Sequence, residues 1–231
     1  MRQFNPNSFY MWLAVAMAGL IAGLQPAVAG CKAPAAPRVD WTKCLKVRLM
    51  LRGRDMTKAV IRNAYMAGTN FRSTDLSDAD FEGSELTRSS FRSAKLQRAK
   101  FTRAYGSRIN FAEADLTDGK LSKAELQRSN FSRAKLTAAD LSNGDFFRSV
   151  FEGADMTGAD LTRANISRAK FRGAVLKGVK LTRAYMYRAR FEGTDLSAVV
   201  GLTQRQLASA CIDAETKLPK GIIPPAKPVC N

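Results

Sequence analysis

Large apolar residues fall at every fifth position from Leu51 to Leu196, and Gly106 is the one exception. Two residues before each sits something small, usually Ala, Ser or Thr. A period of five matches neither the 3.6 of a helix nor the 2 of a strand, so the unit must bury one large and one small side chain per pentapeptide. A second period overlies the first: phenylalanine recurs every twenty residues, at Phe71, Phe91, Phe111, Phe131, Phe151, Phe171 and Phe191. Twenty is what stacks like on like if four fives make one turn, so the spacing predicts an elongated repeat in which each coil is stabilised by its neighbours. Sorted by twenty, the inward residues form four columns. One is the Phe ladder, one is wholly Leu or Met from Met56 to Leu196, and two are mixed. At the ~4.8 Å spacing of neighbouring strands, the intervals from Met56 to Leu196 predict a rod roughly 35 Å long.

Typical units are Asp160-Leu161-Thr162-Arg163-Ala164, Phe91-Arg92-Ser93-Ala94-Lys95 and Phe151-Glu152-Gly153-Ala154-Asp155. The triplets Ala114-Asp115-Leu116, Ala139-Asp140-Leu141, Ala159-Asp160-Leu161 and Ala164-Asn165-Ile166 match A(D/N)LXX, the pattern of the pentapeptide-repeat family, which the chain resembles over some two-thirds of its length. The resemblance implies an all-β repeat, the right-handed quadrilateral β-helix, with the central residue and the small residue two before it pointing inward. The best-known members are acidic DNA mimics that protect topoisomerases; a strongly basic, exported chain has the wrong charge and the wrong address for that role. Gly106, between Leu86 and Leu126 in its column, lacks the usual side chain, and Ile109 is large for a small-residue slot. A packing variation with Ile109 filling part of the gap is expected, with a functional kink or cavity as the alternative, since Gly in strands often marks a bend or close backbone approach.

Four segments follow. Residues 1–29 read as a signal peptide: Arg2 in a polar start, an apolar stretch from Met11 to Leu24, then Gln25-Pro26 and Ala27-Val28-Ala29. The stretch is too short for a membrane span. Residues 30–50 form an N-terminal cap in which Trp41 holds the large inward register and Cys44 the small one. Residues 51–200 are the repeat. Residues 201–231 form a C-terminal cap, opened by a short helix in which Thr203 and Gln206 have capping-box spacing, followed by a Pro-rich tail. An even cysteine count in an exported chain favours two bridges, Cys31 with Cys44 and Cys211 with Cys230. A periplasmic location is expected. Val28-Ala29-Gly30-Cys31 also resembles a bacterial lipobox, so a membrane-anchored lipoprotein stays open as the alternative, although lipidation of Cys31 would leave an odd thiol.

Lys and Arg number 37 against 20 Asp and Glu, a formal charge of +17, and histidine is absent. The commonest general base and the commonest metal ligand are therefore both missing. No Gly-rich phosphate loop occurs, no close Cys pair suggests a metal, and Asp75, Asp115, Asp155 and Asp195 recur as repeat positions. A non-enzymatic chain with no cofactor and no catalytic residue is expected. The exterior column two residues after the central position carries Arg88, Arg108, Arg128, Arg148, Arg168 and Arg188. Tyr65, Tyr105, Phe147, Tyr185 and Tyr187 are expected around this ladder on the same face, with Arg103, Lys123, Arg163 and Arg183 on the following one. Forked donors beside rings suit an anionic partner: an acidic protein surface, lipid headgroups or an acidic glycan. Nucleic acid fits the charge but not an exported address. Two alternatives remain, a basic surface kept only by repeat duplication and a lipid-anchored rod that acts as a spacer.

Overall fold

The computed structural model describes residues 30–225 and 230; the signal peptide expected over residues 1–29 lies outside them. Each pentapeptide has the same anatomy. In the unit around Phe71, Asn70 forms a parallel β-bridge to Ser90 one coil on, Phe71 points inward, Arg72 and Ser73 turn the corner, and Thr74 points inward again. The Thr74 N–H donates to the Phe71 carbonyl at 3.2 Å and closes the turn. Ser73 is left-handed, with φ of 54°. Parallel bridges spaced by twenty residues run from Asp40↔Val60 to Lys180↔Val200, so four corners make one square coil.

This anatomy explains why the repeat favours Asp or Asn before the central residue. Every Asp and Asn at a bridge position, from Asp40 to Asp195, accepts a hydrogen bond on its own side chain from the backbone N–H two residues on. These are Asx turns, which satisfy a corner N–H that no ladder partner reaches. Buried Ser and Thr use a second device. Thr74 Oγ1 donates to the Leu51 carbonyl at 2.8 Å, Ser149 Oγ to Leu126 at 3.0 Å and Thr194 Oγ1 to Phe171 at 3.2 Å, each tying a small inward position to the coil below.

The interior is two aromatic stacks and their aliphatic partners. Phe71 to Phe191 stack with centroids 4.7–5.1 Å apart, and Phe81 and Phe101 stack alongside at 4.9 Å. The two stacks meet edge to face at 5.4–5.7 Å, the geometry that ring quadrupoles favour. Gly106 is more than a packing variation. Its φ of +149° is a backbone state that side chains disfavour, and a Cβ there would lie 2.6 Å from the Thr87 backbone nitrogen and 3.0 Å from the Leu86 carbonyl carbon. The chain here approaches the coil below too closely for any side chain. The Ile109 N–H, which at other corners would close the turn, donates instead to Ser129 Oγ at 3.2 Å, while the Ile109 side chain is buried.

Both ends of the coil stack are covered. Trp41 is buried, its Nε1 donates to the Ala33 carbonyl at 3.1 Å, and Cys31 is bonded to Cys44 beneath it. At the other end, helix α1 (Gln204–Leu207) begins with a complete capping box between Thr203 and Gln206. Gln206 Nε2 also donates to the carbonyls of Leu181 and Ala184, closing donor-seeking groups on the last coil. The bridges Arg190↔Cys211 and Asp195↔Lys217 carry the chain through a final, looser coil, which the Cys211–Cys230 bond fastens.

Candidate anion-binding face

From Arg38 to Gly193, the last residue of each corner turn is left-handed. At one corner this position is held by Arg88, Arg108, Arg128, Arg148, Arg168 and Arg188, with φ between 55° and 58° and all six exposed. Arg48 belongs to the same corner, with φ of 56°. The twenty-residue series hid it because Gly68 interrupts the column; the gap is a notch of about 320 Å³ lined by Val47, Arg48, Ala67, Gly68, Thr87 and Arg88.

Arg103, Lys123, Arg163 and Arg183 were expected on the following face, and the structure places them elsewhere. With Lys43 they hold the corner at which the chain enters the ladder's own face, because a turn at residues 102–103 precedes the bridge residue Tyr105 and a bend at 107–108 follows it. One face is thus bordered by cations on both long edges. Down its middle runs the bridge column Leu45, Tyr65, Glu85, Tyr105, Glu125, Asp145, Asn165, Tyr185, each residue bridged to the next. Phe147 and Tyr187 sit beside the ladder, one residue before Arg148 and Arg188. The tyrosines are 51% (Tyr65), 40% (Tyr105), 69% (Tyr185) and 52% (Tyr187) exposed, so their rings face solvent and not the core.

The electrostatics of this face differ from the rest of the rod. Among the described residues, ion pairs gather elsewhere: Arg62 and Lys100 on Asp80, Lys95 on Asp75, Arg98 on Asp78, Arg92 on Glu113 and Lys180 on Asp160. Of the cations on the two edges, only Arg103 forms one, to Glu82 at 3.5 Å. Arg148 and Arg168 lie over the Phe147 ring at 5.1 and 5.9 Å. The carboxylates on the face are held by neutral donors: Glu85 by the Thr87 N–H, and Asp145 by the Phe147 N–H, Gln127 Nε2 and Asn165 Nδ2. Burial, with smaller contributions from Tyr65 and Glu85, pushes the Tyr105 hydroxyl above its ordinary pKa, so it stays protonated and able to donate.

Corner conformation gives a further argument. Left-handed positions favour Gly and Asn, yet of the 24 described non-glycine residues there, 13 are Arg and only Asn63 and Asn143 are Asn. Local sterics do not select arginine at these corners, whereas its side chain is what an anion requires.

Among the described residues, no group of three His, Cys, Asp or Glu is placed to hold a metal ion, and no helix is long and apolar enough to cross a membrane. Asp75, Asp115, Asp155 and Asp195 lie in one bridge column, separated by Lys95, Lys135 and Val175, and spend an oxygen each on an Asx turn. The Cys211–Cys230 bond lies beside Arg168 and Arg188, near the C-terminal end of the ladder.

No curated protein matches the chain. Among solved structures it is similar to HetL, a pentapeptide repeat protein involved in heterocyst differentiation regulation from the cyanobacterium Nostoc sp. strain PCC 7120: 25% identity, 82% of this chain and 91% of that one covered, TM-score 0.40. It is also similar to QnrB1, a plasmid-mediated fluoroquinolone resistance protein, at 15% identity with 77% and 90% covered and a TM-score of 0.53, a likeness of fold alone. A pentapeptide repeat protein from the Arabidopsis thaliana thylakoid lumen matches at 21% identity over 58% of this chain and 66% of that one, TM-score 0.14. The fold these comparisons establish is the right-handed quadrilateral β-helix, and proteins built on it are generally structural or regulatory, not enzymes. The model for the pentapeptide repeat region matches residues 54–131 and that for pentapeptide repeats matches 129–168, 145–178 and 159–197; spanning more than half of the sequence, these matches show that the chain belongs to the pentapeptide-repeat family.

Proposed function

We propose that this chain is a non-enzymatic, exported scaffold that docks anionic partners along one basic face of its rod. The observation that carries this reading is a contrast in charge pairing: elsewhere Arg62, Lys95, Arg98 and Lys180 are each matched by a carboxylate one coil away, while none of the seven arginines from Arg48 to Arg188 at this corner makes an ion pair among the described residues. A column of like charges that repel one another across coils is useful when something anionic covers it. The signal-like leader and the two disulfides support export, since such bonds persist in oxidising compartments. The Cys31–Cys44 bond also favours a free module over a lipid-anchored spacer, because acylation would need the same sulfur.

The test is the salt dependence of binding to an anionic polymer. Asparagine, which tolerates left-handed corners, replaces Arg108, Arg128 and Arg148. Each phosphate-like contact removed lowers the slope of log affinity against log salt by about 0.7, so the triple variant should lose roughly 2 units of slope and most of its affinity. An unchanged slope would refute the reading.

A further inference from the structure

The aromatic residues on this face follow a spacing of their own. Every tyrosine among the described residues, and the single described phenylalanine outside the inward register, lies on this one face of four. Along it the rings fall on alternate coils: Tyr65, Tyr105, Phe147, then Tyr185 with Tyr187. The coils between carry Glu85 with Thr87, Glu125 with Gln127, and Asn165 with Ser167, all of them hydrogen-bonding side chains. Coils are separated by the 4.7–5.1 Å of the inner Phe stack, so the rings recur at about twice that interval. Arginine, by contrast, recurs on every coil from Arg88 to Arg188.

We infer that the occupant of the face is an extended, acidic 1,4-linked polysaccharide lying along the rod axis. This rests on the face being an anion dock and names the ligand class. One 1,4-linked pyranose advances its chain by close to one coil. Rings on alternate coils therefore meet every second sugar, and carboxylates that alternate between the two sides of the chain meet the cations of the two edges in turn. The three residue types have separate tasks on such a ligand. Tyrosine and phenylalanine cover the apolar face of a sugar ring. The carboxylates of Glu85 and Glu125 accept from sugar hydroxyls, and arginine forks onto uronate carboxylates at the edge. A bare phosphate polymer has no use for the rings. A flat lipid surface would not select rings on alternate coils.

The experiment compares alginate oligomers (1,4-linked uronates), inorganic polyphosphate and neutral cello-oligosaccharides by titration calorimetry at low salt. The variant carries Tyr65→Asn, Tyr105→Asn and Phe147→Ser, residues the coil already accepts in these columns at Asn165, Ser107 and Ser167, and its circular dichroism is compared with the parent. The inference predicts that the parent prefers alginate, and that the variant loses roughly tenfold or more in alginate affinity, the scale of lost ring stacking, while its binding to polyphosphate is unchanged. Equal binding of alginate and polyphosphate, with both indifferent to the rings, would overturn the glycan and leave the anion dock standing. Failure of both polymers to bind the parent would overturn the dock and the glycan with it.

Discussion

Exchanging Arg108, Arg128 and Arg148 for asparagine should make the rod more stable, not less. The three residues sit in left-handed corners, with φ of 57°, 56° and 58°. An L-residue with a Cβ pays about 1–2 kcal/mol there, and asparagine recovers part of this through local hydrogen bonding of its short side chain. One opposing effect comes from Arg148 over Phe147: losing such an exposed cation–π contact costs about 0.5–1 kcal/mol. Summed over three corners, the corner effect wins by about 1 kcal/mol, equivalent for a domain of this size to a rise in Tm of roughly 2–4 °C. The assay is thermal and urea unfolding followed by circular dichroism at matched salt, run beside the binding titration. A gain in stability coupled to a loss of binding is the signature of residues kept for a partner. A variant less stable than the parent by about 1 kcal/mol or more would refute the reasoning, since it would mean that the arginines hold the coils together.

Four further outcomes are expected. Phe131 stacks on Phe111 and Phe151 at 4.8 and 4.9 Å and meets Phe146 edge-on at 6.0 Å, so Phe131→Ala should cost about 3–5 kcal/mol in urea unfolding. Gly106→Ala should destabilise by about 2 kcal/mol or more, because the wall its Cβ meets is the Leu86–Thr87 backbone and cannot turn aside. Asp155 lies below its ordinary pKa of 3.8, chiefly through hydrogen bonds from the Thr157 hydroxyl and N–H, against a smaller burial effect. Asp75 lies below it as well, where burial, the largest single effect, is outweighed by Ser77 and Lys95 together. A carboxylate depressed by folding stabilises above its unfolded pKa and loses that contribution as pH falls through the folded value. Unfolding free energy should therefore be flat above about pH 5 and decline below about pH 4, and a decline beginning at pH 7 would contradict the assignment. The intact mass of the protein from its native host should correspond to a chain beginning at Gly30 that gains two hydrogens per bridge on reduction; an acylated Cys31 would contradict the free module.

Fold and site were legible in the sequence to different depths, for physical reasons. The interior was written in a period of five because each inward position admits only one size of side chain, and a slip of register would expose the Phe stack. The corners were not. Whether Arg103 borders the face of Tyr105 or a neighbouring one depends on where the chain turns relative to the bridge residue, and no periodicity states that. Arg48 escaped because Gly68 breaks the series, although the column position alone would have found it. Gly106 could be marked as an exception, but the reason lay in the coil below: Leu86 and Thr87 leave no room for a Cβ. The alternate-coil spacing of the rings was present in the sequence as well. It acquires meaning only when the bridge column from Leu45 to Tyr185 counts off the coils on which the rings fall.

The most direct test of the basic face is arginine footprinting with phenylglyoxal, read by mass spectrometry with and without saturating alginate or polyphosphate. Arg108, Arg128, Arg148 and Arg168 should be protected together, while Arg72 and Arg133, exposed at other corners, stay reactive. Protection centred on Arg72 and Arg133, or none on the ladder while polymer is bound, would contradict the account.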